Sequence, residues 1–316
     1  MTETDKPQVS REEIRLAYKL FLGRWPSESE LDRMEQRGHG YDKLRQVFLN
    51  APEFFRRNGW APATTATGTT TPEKARTLIH LHVPKSAGST LTAILAPNFP
   101  HRSHMTVGDN TIQQLSNLQL QRRSELRFIF GHLSHGVARY LPQDCAYITV
   151  LREPGNRLLS YFRYVQRITD HPLHGPVSQR NMSFGDFLEY AINNPVVRLE
   201  ADNGQVRRLA GQGRQENSLG QEAALLRTAL HNILGEDVIY GFTEHFDDFL
   251  ARLKARKIIP DVKDTRLNTA PDKTDIGPEL ARLTPAQKQI FEDFTAWDNR
   301  FYDICKSVYF ALPTQI

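Results

Sequence analysis

Apolar positions along the first sixty residues recur every three or four places. Ile14, Ala17, Leu20 and Phe21, then Leu31 and Met34, then Leu44, Val47 and Phe48 form stripes with the period of an amphipathic helix. Phe54 and Phe55 follow the turn signal in "NAPEFF". The pattern predicts a small all-α module over residues 1–60, close to the lower size limit for independent folding. It stops at residues 61–73, "APATTATGTTTPE", whose Thr/Ala/Pro composition cannot bury a core and predicts a flexible linker. From residue 74 to 316 the rhythm changes. Strands are predicted at Thr77–Val83, Arg127–Gly131, Ala146–Leu151 and Asp237–Phe242. Helices are predicted from Gly88 to Leu95, from Pro154 onward, and through Phe246, Phe249, Leu250 and Leu253. Short, nearly continuous apolar strands alternating with helices give an α/β domain with a central parallel sheet flanked by helices. No internal repeat appears.

Composition narrows this picture without redirecting it. A chain of 316 residues with 39% hydrophobic and 24% charged residues suits a globular protein with room for one large domain and an appendage. The net charge of +4 is small and scattered, so no nucleic-acid partner is expected. Two cysteines, Cys145 and Cys305, fit a reducing compartment and leave a single disulfide open. No signal peptide or membrane span is legible, which predicts a cytoplasmic protein and leaves only peripheral contact with a membrane.

The candidate chemistry begins at "HLHVPKSAGST", residues 80–90. In a strand-to-helix turn the first helical N–H groups lack carbonyl partners and face outward at the positive end of the helix dipole, which attracts an anion. Small residues at Ser86, Ala87 and Gly88 admit a close approach, Ser89 and Thr90 offer hydroxyls, and Lys85 offers a point charge. The spacing is not G-x-x-x-x-G-K-[ST], because Lys85 stands at the front of the loop and Ile79 occupies the place of the first glycine. A nucleotide kinase or triphosphatase is therefore the weaker reading. A second anion grip follows in "ITVLREPGNRLLSYFRYVQR". Arg152 stands where a buried strand ends, Pro154 opens a helix, and Ser160 lies within two turns of its start. Arg152 and Ser160 can converge on one phosphate; alternatively Arg152 pairs with Glu153 and Ser160 is merely tolerated in its helix.

The segments "HVPKSAGST", "FGHLSHG" and "VLREPGNRLLSYFRYV" resemble, in order and spacing, the carbohydrate sulfotransferases related to heparan sulfate 2-O- and 6-O-sulfotransferases. The likeness continues through "DNGQVRRLAG", "IYGFTEHFDDFL" and "LNTAP". Ser86 and Gly155–Asn156 depart modestly from the usual family residues. The resemblance implies a P-loop-like sulfotransferase fold and a bacterial enzyme using 3′-phosphoadenosine 5′-phosphosulfate, with adenosine 3′,5′-bisphosphate as product. It implies that residues 86–90 hold the 5′ end, Arg152 and Ser160 the 3′-phosphate, and Lys85 the oxygen that departs with the nucleotide. It also makes His132 the general base, with His135 as a second candidate or as a neighbour that orients His132 or contacts the acceptor. The acceptor it implies is a hydroxyl of a carbohydrate or glycolipid, acidic sugars included.

His82 is expected near the acceptor. His80 and His82 form a His-x-His pair, but no further ligands stand at zinc-site spacing, so no metal is expected. Arg163, Arg207 and Arg208 are open to two readings, contact with an acidic sugar or ordinary surface ion pairs. Acceptor choice is assigned to the segments His101–Gln121 and His171–Met182. A non-catalytic glycan-binding scaffold with the same fold is the remaining alternative. The helical module is read as a docking or stabilising appendage.

Overall fold

Five parallel strands make one sheet, in the order β2-β3-β1-β4-β5. They are β1 (Thr77–Leu81), β2 (His104–Val107), β3 (Phe128–Gly131), β4 (Cys145–Leu151) and β5 (Val238–Phe242). This is a computed structural model describing residues 9–22, 24–38, 40–49, 76–108, 111–213, 215, 218–235, 238–259 and 275–311. The predicted linker, Phe54, Phe55, Asp237 and "LNTAP" lie outside those residues. The chain divides into two compact units, Met1–Pro72 and Glu73–Ile316.

In the first unit the described helices are α1 (Arg11–Ala17), which continues as a π-helical turn over Tyr18–Leu22, α2 (Glu28–Gln36) and α3 (Tyr41–Leu49). Reciprocal caps start α1 and α2: Ser10 with Glu13, and Ser27 with Glu30, each satisfy two otherwise orphaned N–H groups. The expected stripes face one another, with Ile14, Ala17, Leu31, Met34, Leu44 and Phe48 buried together. A cavity of about 270 Å³ borders this core, lined by Val9, Ser10, Ile14, Met34, Glu35, Gly38 and Leu44.

In the second unit β1 is buried along its whole length. Its alternating side chains reach both faces of the sheet. Ile79 and Leu81 pack with Ile129, Tyr147, Leu151, Phe301 and Tyr302. Leu78 packs on the other face with Leu91, Leu95, Phe128, Ile148, Phe249 and Leu253. That two-sided burial is why the strands read as continuous apolar runs. The flanking helices include α4 (Gly88–Leu95), α5 (Pro154–Arg167), α6 (Phe184–Ile192), α7 (Pro195–Ala201), α8 (Gly204–Leu209), α9 (Glu222–Gly235), α10 (Phe246–Ala255) and α11 (Pro285–Ala311).

One strand departs from expectation. β2, inside the segment assigned to acceptor choice, is an edge strand pairing only with β3, and of "HMTV" only Val107 is buried. It carries no apolar run by which sequence reading could detect it. Both cysteines are free, which closes the disulfide left open above. No described helix is long and apolar enough to cross a membrane.

The topology points to one crevice. From β1 the chain moves toward β2 and β3 on one side, whereas β4 leads to β5 on the other. The carboxyl ends of the adjacent strands β1 and β4 are therefore where connections diverge, and open α/β sheets bind ligands at such a point.

Candidate active site

The β1–α4 turn is conformationally costly in a specific way. Lys85 (φ 67°) and Ala87 (φ 58°) both occupy the left-handed region, where a side chain is unfavourable and glycine would be at ease. Local strain of this kind gathers at ligand-binding turns, and successive N–H groups in such conformations form anion-holding concavities. Ala87 supplies no side-chain cap to α4, and the first helical acceptor bond runs from Leu91 N–H to Ala87 O. The Gly88 and Ser89 N–H groups stand at that uncapped start of the helix. Ser86 is buried, and its Oγ has no hydrogen-bond partner, an arrangement that native structures rarely leave unanswered. Thr90 is buried and Ser89 is exposed.

The neighbouring helix gives the contrast. At the start of α5 the Glu153 carboxylate accepts from Gly155 N–H (2.9 Å) and Asn156 N–H (2.6 Å). That helix end already holds an anion of its own, whereas no side chain caps α4.

Arg152 joins the two turns. Its Nη1 donates to Lys85 O at 2.9 Å across the gap between β4 and β1. Its backbone is gripped by one buried side chain: Arg152 N–H donates to Gln205 Oε1 (3.0 Å), and Gln205 Nε2 donates to Arg152 O (2.9 Å). Burial lowers the Arg152 pKa, with Glu244 and Glu153 opposing it. Ser160 lies on α5, partly buried. Lys85 Nζ sits 3.8 Å from the centre of the Tyr164 ring. Burial, then repulsion from Arg167 and Arg152, brings its pKa down to about 8.

His132 follows β3 and is exposed. Its ring meets His82 edge-on at 4.6 Å, and His82 stacks on His80 at 5.5 Å. His80 Nδ1 is 2.9 Å from Thr92 Oγ1 on α4. Burial, followed by the charge of His132, depresses both inner imidazoles, His80 to about 3 and His82 to about 2. They remain neutral at any working pH. His82 also abuts the phosphate-type turn: a Cβ on Gly88 would lie 2.0 Å from its ring. His135 faces elsewhere, its ring 4.5 Å from Tyr147 and its N–H donating to Arg208 O at 2.8 Å.

Of the three arginines left open between sugar contact and surface pairing, Arg207 and Arg208 are buried and Arg163 makes a surface ion pair. Arg208 is buried, with Nη2 donating to Glu200 Oε2 at 2.5 Å, while its Nη1 has no hydrogen-bond partner. Arg207 is buried against Glu222, Asp202 and Ser218. Arg163 is exposed and lies 3.7 Å from Glu279. The residues missed by sequence reading stand behind them. Arg157 on α5 donates to Glu200 Oε1 (3.0 Å) and to Glu200 O (2.9 Å). Asp298 on α11 lies 3.7 Å from Arg157 and accepts from the Gln205 and Val206 N–H groups. Burial works against the Glu200 carboxylate, yet Arg208 and Arg157 outweigh it and hold its pKa below the ordinary value. For Asp298 burial prevails and the pKa rises. The one sequence signal was "LEADNGQVRR", a polar run where the helical stripe should be apolar.

The structure thus brings Lys85, Ser86–Thr90, Arg152, His82 and His132 to one edge of the sheet, with Gln205 and the Arg157–Glu200–Arg208 cluster behind. Among the described residues no group of three or more His, Cys, Asp or Glu could hold a metal ion.

Residues 69–214 match the model of the sulfotransferase family. The matched segment contains the strained turn, His132, Arg152, Ser160 and Arg208. No curated protein matches the chain. Among solved structures, mouse sulfotransferase SULT7A1 complexed with PAP aligns at 17% identity over 74% of this chain and 90% of its own, with a TM-score of 0.41. A sulfotransferase from Alicyclobacillus acidocaldarius aligns at 14% identity over 71% of this chain and 99% of its own, with a TM-score of 0.36.

Proposed function

We propose that the second unit catalyses in-line sulfuryl transfer from 3′-phosphoadenosine 5′-phosphosulfate to a hydroxyl of a carbohydrate or glycolipid acceptor. The observation that carries this reading is the Arg152 Nη1–Lys85 O hydrogen bond, which ties two anion-seeking groups from separate strand ends into one crevice. The family match over residues 69–214 supports it.

In this reading the uncapped start of α4, the Ser86 hydroxyl and Thr90 receive the 5′ end of the donor. Arg152, with Ser160 on the next helix, receives the 3′-phosphate. His132 removes the acceptor hydroxyl proton as the acceptor oxygen bonds to sulfur. The bond between sulfur and the bridging oxygen breaks, and the electron pair stays on that oxygen as adenosine 3′,5′-bisphosphate departs. Lys85 stabilises the charge gathering there, a contribution of a few kcal/mol when the donor is preorganised. His82 stays neutral beside His132, so a single imidazole takes up the proton. Proton removal by a positioned imidazole typically contributes about 10²–10⁴-fold. His135 and Arg208 act as supports of the 132–135 turn, in keeping with the hydrogen bond between their backbones.

Calorimetry with adenosine 3′,5′-bisphosphate and with ATP, each with and without EDTA, tests the assignment. Binding that needs the 3′-phosphate, survives the chelator and is lost in Arg152→Ala is the expected result. ATP binding that depends on Mg²⁺, or indifference to the 3′-phosphate, overturns it in favour of a nucleotide kinase. Loss of sulfuryl transfer in His132→Ala with the nucleotide still bound separates an enzyme from a scaffold.

A further inference from the structure

Lys85 is pinned at its backbone and repelled by like charge at its tip. The left-handed φ of 67° and the bond from Arg152 to its carbonyl fix the direction in which its side chain leaves the turn. Two positive groups act on it, Arg167 from α5 and Arg152 from the end of β4, and the imidazoles of His171, in the turn after α5, and His82, at the end of β1, lie near enough to feel its charge. An ammonium so placed should swing outward to water. It instead lies over the face of Tyr164, 3.8 Å from the ring centre.

Tyr164 stands four residues after Ser160, so the two share one face of α5. Its ring is itself held in place. His171 meets it edge-on at 5.7 Å, and also meets Tyr161 at 6.2 Å. Building on the sulfotransferase reading, we infer that Tyr164 is a positioning residue whose ring face keeps the Lys85 ammonium at the mouth of the donor turn, where the bridging oxygen leaves. The aromatic quadrupole attracts the cation through its face and requires no hydroxyl. It works against burial and the neighbouring arginines, both of which favour the neutral amine. The same helix then serves two ends of one donor, Ser160 for the 3′-phosphate and Tyr164, through Lys85, for the 5′ side. Nothing in the usual grammar of phosphate turns calls for an aromatic residue on the next helix, so no motif in the chain points to it.

The test uses the full chain with Tyr164→Phe, Tyr164→Leu, Lys85→Ala and the Lys85→Ala/Tyr164→Leu double variant. Two readouts are taken: calorimetric affinity for adenosine 3′,5′-bisphosphate, and the pH dependence of Lys85 acylation followed by mass spectrometry. Tyr164→Leu should weaken nucleotide binding by roughly 2- to 30-fold, the range of a desolvated cation–ring contact. Tyr164→Phe should restore most of that affinity. In the Lys85→Ala background Tyr164→Leu should add nothing, since the pair is then already broken. The acylation profile should move to lower pH in Tyr164→Leu and stay in place in Tyr164→Phe. The inference is overturned if phenylalanine is as damaging as leucine, if the leucine effect persists without Lys85, or if leucine tightens binding, which would mean the ring withholds the lysine. Should wild-type protein fail to bind the nucleotide, the sulfotransferase reading falls, and the acylation profile alone decides the Lys85–Tyr164 pairing.

Discussion

Each unit gathers carboxylates around arginines, in opposite surroundings. In the first, Arg11 reaches Glu28 (2.7 Å), Asp32 (2.8 Å) and Glu35 (2.5 Å), and Arg15 reaches Glu28 (2.9 Å). The Arg11 side chain is 34% exposed and that of Glu28 70%, so water can replace any partner. In the second, Arg157 is 1% exposed and Glu200 7%, and Arg208 and Asp298 are equally enclosed. Bulk solvent scarcely reaches that cluster. A buried pair adds little over an apolar one, because desolvation consumes the attraction, but loss of one member strands a charge. The exposed cluster decorates α1 and α2. The buried one fixes geometry: Asp298 holds the first turn of α8, Gln205 on that helix holds the Arg152 backbone, and Arg208 O holds the turn that carries His132.

The sharpest way to break this contrast is Glu200→Gln. It removes the one carboxylate between two buried guanidinium groups and should cost about 3–5 kcal/mol of stability, measured by denaturant unfolding. Replacing Arg157, Glu200 and Arg208 together by apolar residues of similar volume should recover much of that loss.

Acid should separate the units next. His80 and His82 are held near 3 and near 2 in the folded state against an ordinary 6.5. As the pH drops below about 6.5, the unfolded chain takes up protons that the folded chain refuses, and the second unit loses stability from there downward. In the first unit Glu28 is lowered by Arg11 and Arg15, and Glu30 by Arg24 and the Ser27 cap. Their contribution is present above the ordinary value of 4.5 and is lost only as the pH falls below it. Peptide-resolved hydrogen exchange, corrected for intrinsic rates, should therefore show the second unit loosening first. The reverse order would contradict the burial argument.

The smallest effect belongs to Arg11→Ala, which should move the unfolding midpoint of its unit by no more than about 4–8 °C. A large shift would mean that the exposed cluster works as the buried one does.

Legibility followed the same division. The turn at residues 82–88 and the strand end at Arg152 could be read because each is local, a strand, a punctuation mark and a helix start within a dozen residues. That Arg152 touches Lys85 required only that β1 and β4 be neighbours. The stripes of the first unit were read correctly for a related reason, since Ile14, Leu31 and Leu44 each sit in a short amphipathic period. The cluster behind the site could not be read that way. Arg157 meets Glu200 across 43 residues and Gln205 meets Asp298 across 93, and charged residues on helices ordinarily face water. β2 escaped because an edge strand with one buried residue has no periodicity to show. Tyr164 escaped because its partner is chosen by the direction of a lysine, which only the left-handed turn determines.

That turn has one more consequence. Lys85 and Ala87 hold a backbone shape that glycine would adopt without protest. Glycine at position 87 should make a sturdier protein, yet it would also let the loop relax into shapes with no use for an anion. If the turn is the donor cradle proposed above, the discomfort of two ordinary residues is what keeps it open before anything arrives to fill it.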